Sequence, residues 1–223
     1  MTTTISYSPG LSGKVLLTKL FLVCGMLSSI LYVAMNIFVP MQWEGYSTLS
    51  QTISELSAID APTRSLWVPL GIVYALLTAA FGWGVRISTI KNRPLRIAGA
   101  LLFINGVISL FWPPMHQREV LAAGGGTMTD TMHIVFSFVT VLLFMLTIGF
   151  GAAAFGKVFR LYSIATLVIL VVFGILTGMQ APEMEANRPT PLMGVWERIN
   201  IGVYMLWVIV LAIILLRAER KHD

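Results

Sequence analysis

The sequence has few charged residues and one cysteine, and each of these shortages excludes some classes of protein. Only 11% of its 223 residues are charged, whereas soluble domains carry about 25%, so a soluble globular domain is not the default interpretation. Hydrophobic residues make up 57% of the chain and the mean hydropathy is +0.82, as is typical of helical membrane proteins. The one cysteine, Cys24, cannot form an internal disulfide and is assigned to packing.

Motifs of the common nucleotide, redox and zinc sites are missing from the sequence as well. There is no phosphate-binding loop, dinucleotide fingerprint, haem motif or H-E-x-x-H zinc motif. No long apolar run carries a charged residue near its centre, which weakens the case for a small transporter with an ion relay. The net charge of +5 would suit nucleic acid in a soluble protein, but here we assign it to orientation in a membrane.

Six long apolar runs are each close to the ~20 residues that a bilayer core requires. They predict an all-α integral membrane protein, a bundle of six transmembrane helices. The predicted spans are Leu20–Val39, Leu66–Ile87, Ile97–Trp112, Thr129–Ala154, Leu161–Gln180 and Val195–Leu216. We expect one transmembrane domain over residues 19–217, between a flexible cytoplasmic N-terminus (1–18) and a cytoplasmic tail (218–223).

The charges are divided unequally between the two faces of this predicted bundle. Most of the 15 Lys and Arg residues fall on the face that carries the termini, and most of the 10 acidic residues fall on the other. The positive-inside rule therefore predicts that both termini lie in the cytoplasm. That rule concerns only the basic residues, so the acidic outer face needs a separate explanation.

Local patterns predict helix starts in the outer loops. Leu49, Ile53 and Leu56 share one helical face, which predicts a short amphipathic helix at the membrane interface. Asp60 precedes an Ala-Pro pair, a typical start for the second span. A second short helix is expected over 114–123, ended by three consecutive glycines.

The segment from Pro113 to His133 concentrates the side chains that bind metals or move protons. Asp130 and His133 are three residues apart at a helix start and share a face. A carboxylate beside an imidazole can orient it, raise its basicity or join it on a metal. His116 and Glu119 have the same spacing. The alternative for both pairs is structural, with Asp130 as a helix cap beside Thr129.

Two interpretations of this cluster stay open. In one, His116, His133 and Asp130 hold a divalent metal such as zinc, and His133, Asp130 and Glu55 carry out metal-assisted hydrolysis at the outer leaflet. In the other, the cluster locks the helices together or binds a lipid headgroup, and no cofactor is involved.

Other polar residues belong to the same predicted cluster. Glu197 and Arg198 lie one turn into the last span, where charges are costly unless paired, so we expect Arg198 to pair with Asp130, Glu55 or Asp60. The predicted ligand-binding or structural set is Ser54, Asp60, His116, Arg118, Glu197 and Arg198.

Three further polar residues have predicted roles. Ser54 would act as a nucleophile only with a base such as His133 within hydrogen-bond distance, and its serine-rich stripe otherwise favours close helix packing. Asn36 and Asn105, inside apolar spans, are predicted to form hydrogen bonds between helices.

Four short features resemble a known family: SELSAID after the first span, the proline-ended third span, the histidine opening the fourth and the Glu-Arg pair opening the sixth. They resemble the domain-of-unknown-function 998 family (DUF998), bacterial membrane proteins with six spans, over residues 20–216. The resemblance implies a multi-pass protein of the inner, cytoplasmic membrane, and it brings no established activity. The recurring polar positions of the family match Ser54, Glu55, Asp60, His133, Glu197 and Arg198.

Together these patterns predict a multi-pass membrane protein whose outer polar cluster is structural or binds a lipid or other ligand. The alternatives are an intramembrane metal-assisted hydrolase and a small transporter, so enzymatic activity is left open. The expected partner is the lipid bilayer, with a lipid headgroup as the candidate ligand and no nucleic acid. The sequence does not predict the oligomeric state.

Overall fold

The computed structural model describes residues 9–89 and 91–219, and this part of the chain is helical and without strands. Six helices are long and two have five residues each. In chain order they are α1 (Pro9–Phe38), α2 (Arg64–Ser88), α3 (Arg93–Ser109), α4 (Arg118–Ala122), α5 (Met128–Ala154), α6 (Lys157–Met179), α7 (Ala181–Glu185) and α8 (Met193–Glu219). The all-α prediction is confirmed.

Five of these helices, α1, α2, α5, α6 and α8, are long and apolar enough to cross a membrane. Their outward faces carry large apolar side chains, such as Val158 at 87% exposure. A bilayer covers an apolar outer surface of this extent, because contact with lipid tails spares the apolar side chains an unfavourable contact with water. The third predicted span, Ile97–Trp112, corresponds to α3, which has 17 residues and lies at the lower limit of membrane-spanning length.

The six long helices form a closed ring in the order α1–α2–α3–α5–α6–α8, and α8 packs back against α1. The pairs α1–α2 and α2–α3 make the most extensive contacts, whereas α5 and α6 make the least extensive contact between neighbours in the ring. The ring is therefore tight on one side and loose at the α5–α6 boundary.

The half of the ring nearer the chain termini is filled with side chains. Phe81, Trp207 and Leu211 are fully buried there. The indole of Trp207 donates a hydrogen bond to Ser163 Oγ at 2.9 Å, which links α8 to α6. Helices in a bilayer associate through close packing and such hydrogen bonds, so this half supplies much of the cohesion of the bundle.

Three connections, residues 39–63, 110–127 and 180–192, pack together over the other end of the ring, and we call them the loop cap. The backbone N–H of Ile59 donates to the Met115 carbonyl at 2.7 Å, joining the first two connections. A buried apolar cluster that includes Met115 and Met184 joins the second and third. The loop cap is thus a packed layer that contains α4 and α7.

The first connection differs from the amphipathic interfacial helix predicted for it, and that prediction is wrong. The connection forms turns and two 3-10 helices, Pro40–Gln42 and Ser54–Ser57. Ile53 and Leu56 are buried against Met35 and Trp67 inside the loop cap, because several loops meet there and bury them more completely than an interface would. Leu49, predicted on the same face, is 59% exposed.

Helix boundaries also depart from the predicted ones. Asp60 has a φ of 62° and is exposed, so it cannot begin a helix, and α2 begins at Arg64 after Thr63. The short helix expected from residue 114 begins at Arg118. Residues 9–18 of the predicted flexible N-terminus belong to α1. Residues 1–8 and 220–223, which complete the predicted N-terminus and tail, lie outside the described residues.

Candidate functional site

Glu55 lies inside the loop cap, where its side chain is 2% exposed. Arg118 donates from Nε and Nη2 to the two carboxylate oxygens, both at 2.8 Å. Thr52 donates its backbone N–H and its hydroxyl to Oε2 at 2.7 and 3.0 Å, and Gln51 donates to Oε1 at 3.2 Å. These hydrogen bonds make the buried Glu55 carboxylate a structural anchor of the loop cap. Glu55 forms no hydrogen bond with His133.

Arg118 extends this anchor to the third connection. Its Nη1 donates to Thr190 Oγ1 at 3.3 Å, and the Thr190 hydroxyl donates to the Ser50 carbonyl at 2.7 Å. One guanidinium thereby ties all three connections of the loop cap together.

Asp130 and His116 form a second group in the loop cap. The His116 backbone N–H donates to Asp130 Oδ1 at 2.7 Å, and the imidazole Nδ1 contacts Oδ2 at 2.9 Å. The Thr127 N–H also donates to Oδ2, at 2.8 Å, in a capping box whose N-cap residue is Thr127 and not the predicted Thr129. His116 pairs with Asp130 and not with Glu119, because residues 110–117 fold back to the start of α5.

The residues predicted to bind metal do not converge on one point. His116 and Asp130 are in contact, but both ring nitrogens of His133 bond to other groups. Throughout residues 9–89 and 91–219, no three His, Cys, Asp or Glu side chains come together as a metal site. This donor arrangement does not fit a zinc ion held by His116, His133 and Asp130.

Arg198 does not form the ion pair predicted with Asp130, Glu55 or Asp60. Its guanidinium donates instead to three backbone carbonyls and one phenol, at 2.8 to 3.1 Å. These acceptors belong to Thr48, Gln51, Gly194 and Tyr46. The irregular first connection leaves carbonyls without helical partners, and a guanidinium with five donors satisfies them better than one carboxylate would.

Neighbouring groups fix the first connection to the start of α8. Burial raises the pKa of Tyr46, so its phenol stays neutral and donates to the Thr52 carbonyl at 2.7 Å. Glu197 Oε2 accepts the Ile53 N–H at 2.5 Å. At Gly194, an added Cβ would lie 2.3 Å from the Gln51 carbonyl oxygen, so α8 needs glycine at this close approach.

Ser54 and His133 are in direct contact, as the conditional prediction required. His133 Nε2 lies 3.0 Å from Ser54 Oγ, and Nδ1 lies 2.8 Å from the Pro113 carbonyl oxygen. The Trp112 ring meets the imidazole edge-on, with centroids 5.3 Å apart. A carbonyl oxygen only accepts, so Nδ1 carries a proton, and in the neutral ring Nε2 accepts the Ser54 hydroxyl proton.

A cavity of about 790 Å³ occupies the half of the ring beneath the loop cap. Ser54, His133, Glu197 and Arg64 line it where the helices meet the cap, and most of the remaining wall is apolar. Along α5 its lining runs from Asp130 to Met145, about 22 Å at the rise of an α-helix.

We place the opening of the cavity between α5 and α6, the neighbours in the ring with the least extensive contact. Phe138 on α5 and Ile175 on α6 both line it, yet they are 74% and 57% exposed. Gly174 and Gly178 of α6 form a G-x-x-x-G pair, which in membrane helices usually brings two helices together. Here both line the cavity, and a Cβ added at Gly178 would meet nothing within 4 Å. The small residues widen the opening instead of closing it.

Asn105 lines this cavity and has unpaired polar atoms. The side chain is 1% exposed, and neither its amide oxygen nor its nitrogen has a hydrogen-bond partner within the described part of the chain. The predicted interhelical hydrogen bond is not formed, and Asn36 bonds to the Tyr32 carbonyl of its own helix. A buried amide without partners costs about 1–3 kcal/mol, so Asn105 is available to a polar group in the cavity.

Sequence reasoning identified the polar residues but missed the cavity. It also missed Arg64 and the Pro113 carbonyl as parts of the site. The glycine spacing in α6 and the isolated Asn105 were the two signals present in the sequence. Asn105 was predicted to form a hydrogen bond between helices and no role was predicted for the α6 glycines, because the order of helices around the ring is not encoded in local patterns.

These features define a helical protein of membrane type, with a packed loop cap and a polar-ended cavity open to one side. The chain belongs to the DUF998 family, described as proteins of unknown function, whose family model matches residues 26–214. The predicted family resemblance is confirmed. Neither a curated protein nor a solved structure matches the chain.

Proposed function

We propose that this protein binds one bilayer lipid, with the polar head under the loop cap and an acyl chain between α5 and α6. The form of the cavity carries this proposal. Its volume of about 790 Å³ is within the range of ligand sites, its wall is mainly apolar, and its polar groups gather at one end. A side opening between two helices admits a ligand that arrives from the bilayer.

The depth of the cavity supports a lipid of a single leaflet. From His133 to Met145 the lining of α5 spans about 18 Å, a little over half of the ~30 Å hydrocarbon core. Below it, Trp207 and Phe81 fill the ring. A chain bound in the cavity would therefore end near the middle of the bilayer.

The head end offers a cation and an amide, beside the carboxylates of Asp130, Glu185 and Glu197. Arg64 is the basic side chain of the cavity lining, and its Nη1 donates to the Ser57 carbonyl in the loop cap. A guanidinium held in this way suits a phosphate group. Asn105 can bond to an ester carbonyl. We therefore assign the ligand to the phospholipids.

The proposal also assigns the orientation of the chain. All six long helices, α3 included, cross the cytoplasmic membrane of a bacterium, with both termini in the cytoplasm and the loop cap outside. The excess of basic residues on the terminal face supports this orientation. The cavity then belongs to the outer leaflet.

Cysteine labelling of intact cells tests the orientation. In a Cys24→Ala background, Gly126→Cys in the loop cap should react with an impermeant thiol reagent, and Gly156→Cys between α5 and α6 should react only after lysis. Neither position crowds a neighbour, since the nearest atom to an added Cβ lies at 3.5 Å for Gly126 and beyond 4 Å for Gly156. The reverse labelling pattern would refute the orientation.

Native mass spectrometry from gentle detergent tests the lipid site. We expect the wild type to retain one phospholipid per chain, and Gly178→Phe to lose it because the new ring occupies the opening. Gly149→Phe is the matched control, since its added Cβ also meets nothing within 4 Å and Gly149 does not line the cavity. Equal retention by both variants, or no lipid on the wild type, would refute the proposal.

A further inference from the structure

We infer that Ser54 and His133 are the nucleophile and general base of an acyl-transfer site, which acts on an ester bond of the phospholipid in the cavity. This inference rests on the proposed lipid site and adds a reaction to it. Both residues line the cavity at its head end, where the ester groups of a bound phospholipid would lie.

The hydroxyl of Ser54 is bonded differently from its neighbours. Serine in helices usually donates back to a carbonyl of the preceding turn. Ser57 donates to the Ser54 carbonyl at 3.0 Å and Ser137 to the His133 carbonyl at 2.9 Å, both in this way. Ser54 Oγ instead contacts an imidazole nitrogen at 3.0 Å, from a residue 79 positions away. A serine needs such a contact with a base to become a nucleophile.

The imidazole is held in the tautomer that the reaction requires. The Pro113 carbonyl accepts from Nδ1, in the orienting position that a carboxylate occupies in other serine sites. Trp112 packs edge-on against the ring, and His133 is 5% exposed. Nε2 is therefore directed at Ser54 before any substrate binds.

A second observation in the same cavity points to a bound ligand with polar atoms. Asn105 is 1% exposed and lines the cavity, and neither of its amide atoms has a partner among residues 9–89 and 91–219. An ester or the fatty acid released from it offers the acceptor that this amide lacks.

The reaction balances with water or an alcohol as the second reactant. Ser54 Oγ attacks the ester carbonyl carbon while its proton moves to His133 Nε2. The tetrahedral intermediate collapses, the bond from the acyl carbon to the alkoxy oxygen breaks, and Nε2 returns the proton to the leaving lysolipid alcohol. Water or another alcohol then attacks the acyl-serine, with His133 again removing and returning one proton. The products are a lysolipid and either a fatty acid or a new ester.

A long-chain alkyl fluorophosphonate tests the pair, because an activated serine attacks its phosphorus, releases fluoride and keeps a covalent adduct. Intact-protein mass spectrometry of the full chain in detergent should show one adduct, which peptide mapping assigns to Ser54. Ser54→Ala should lose the adduct. His133→Asn should slow labelling by about 100-fold or more, since its amide can still donate to Pro113 but leaves no base opposite Ser54.

Ser57→Ala is the control, because Ser57 lines the same cavity and its hydroxyl bonds only to backbone. It should label like the wild type. A wild type that retains phospholipid but does not label, or a Ser54→Ala variant that labels normally, would overturn the catalytic pair and leave the lipid site standing. Labelling at Ser54 without lipid retention would refute the phospholipid as substrate.

Discussion

The two halves of the ring use the space between the same six helices differently. Toward the termini, large side chains such as Trp207 and Phe81 fill the space between helices completely. Toward the loop cap, the helices enclose a cavity and the order comes from hydrogen bonds and one buried ion pair. The filled half stabilises the bundle, which allows the capped half to keep an open site.

The loop cap is held by charged groups as well as by apolar contacts. A buried apolar cluster that includes Met115 and Met184 joins two of its connections. Arg118 and Arg198 bind carboxylate and carbonyl groups within the cap. The acidic residues Glu55, Asp130 and Glu197 each accept hydrogen bonds from cap residues, which gives a structural reason for their position.

The largest loss of stability is expected from the filled half. Trp207→Ala removes a fully buried indole and its hydrogen bond to Ser163. We expect a loss of about 3–5 kcal/mol in the free energy of unfolding, measured by denaturation in detergent. A loss below about 1 kcal/mol would show that this half does not hold the bundle together.

Arg118→Met should destabilise the loop cap by about 3 kcal/mol. The change leaves the Glu55 carboxylate buried without its partner, and the lower end of the usual range applies because Arg118 keeps 12% of its side chain exposed. Thermal unfolding in detergent measures the effect. The double variant Arg118→Met with Glu55→Gln should recover part of the loss, and a double variant as unstable as the sum of both changes would contradict the pair.

Asp130→Ala should cost about 1 kcal/mol, because it removes the capping box of α5 and the bonds to His116. Glu119→Ala is the control on the neighbouring helix, where the side chain is exposed and makes no bond to His116. It should change stability by less than about 0.5 kcal/mol. Equal losses of stability in the two variants would contradict the pairing of His116 with Asp130 and support the predicted pairing with Glu119.

The smallest effect is expected from one methyl group added to each half. Gly178→Ala faces the cavity, and it should be neutral or stabilising by up to about 1 kcal/mol because alanine favours helix. Gly151→Ala places its Cβ 2.4 Å from the Trp207 ring and should destabilise. Melting temperatures that move the same way in both variants would remove the distinction between the halves.

Hydropathy predicted the helical class well, because each span is decided by its own apolar length. The chemistry of a serine nucleophile named His133 as a possible base for Ser54, although only as a condition. The partner of Arg198 was mispredicted, since backbone carbonyls freed by an irregular loop leave no pattern in the sequence. The roles of Asn105 and of the α6 glycines could not be predicted, because they depend on the order of helices around the ring. That order follows from long-range packing.

The most direct test of the lipid site is photo-crosslinking with a phospholipid that carries a diazirine in its acyl chain. In membranes containing the wild type, peptide mapping should place the crosslinks on cavity-facing residues of α5 and α6, such as Phe138 and Ile175, and excess unlabelled phospholipid should suppress them. Crosslinks confined to outward residues such as Val158, with no competition, would contradict a lipid bound inside the ring.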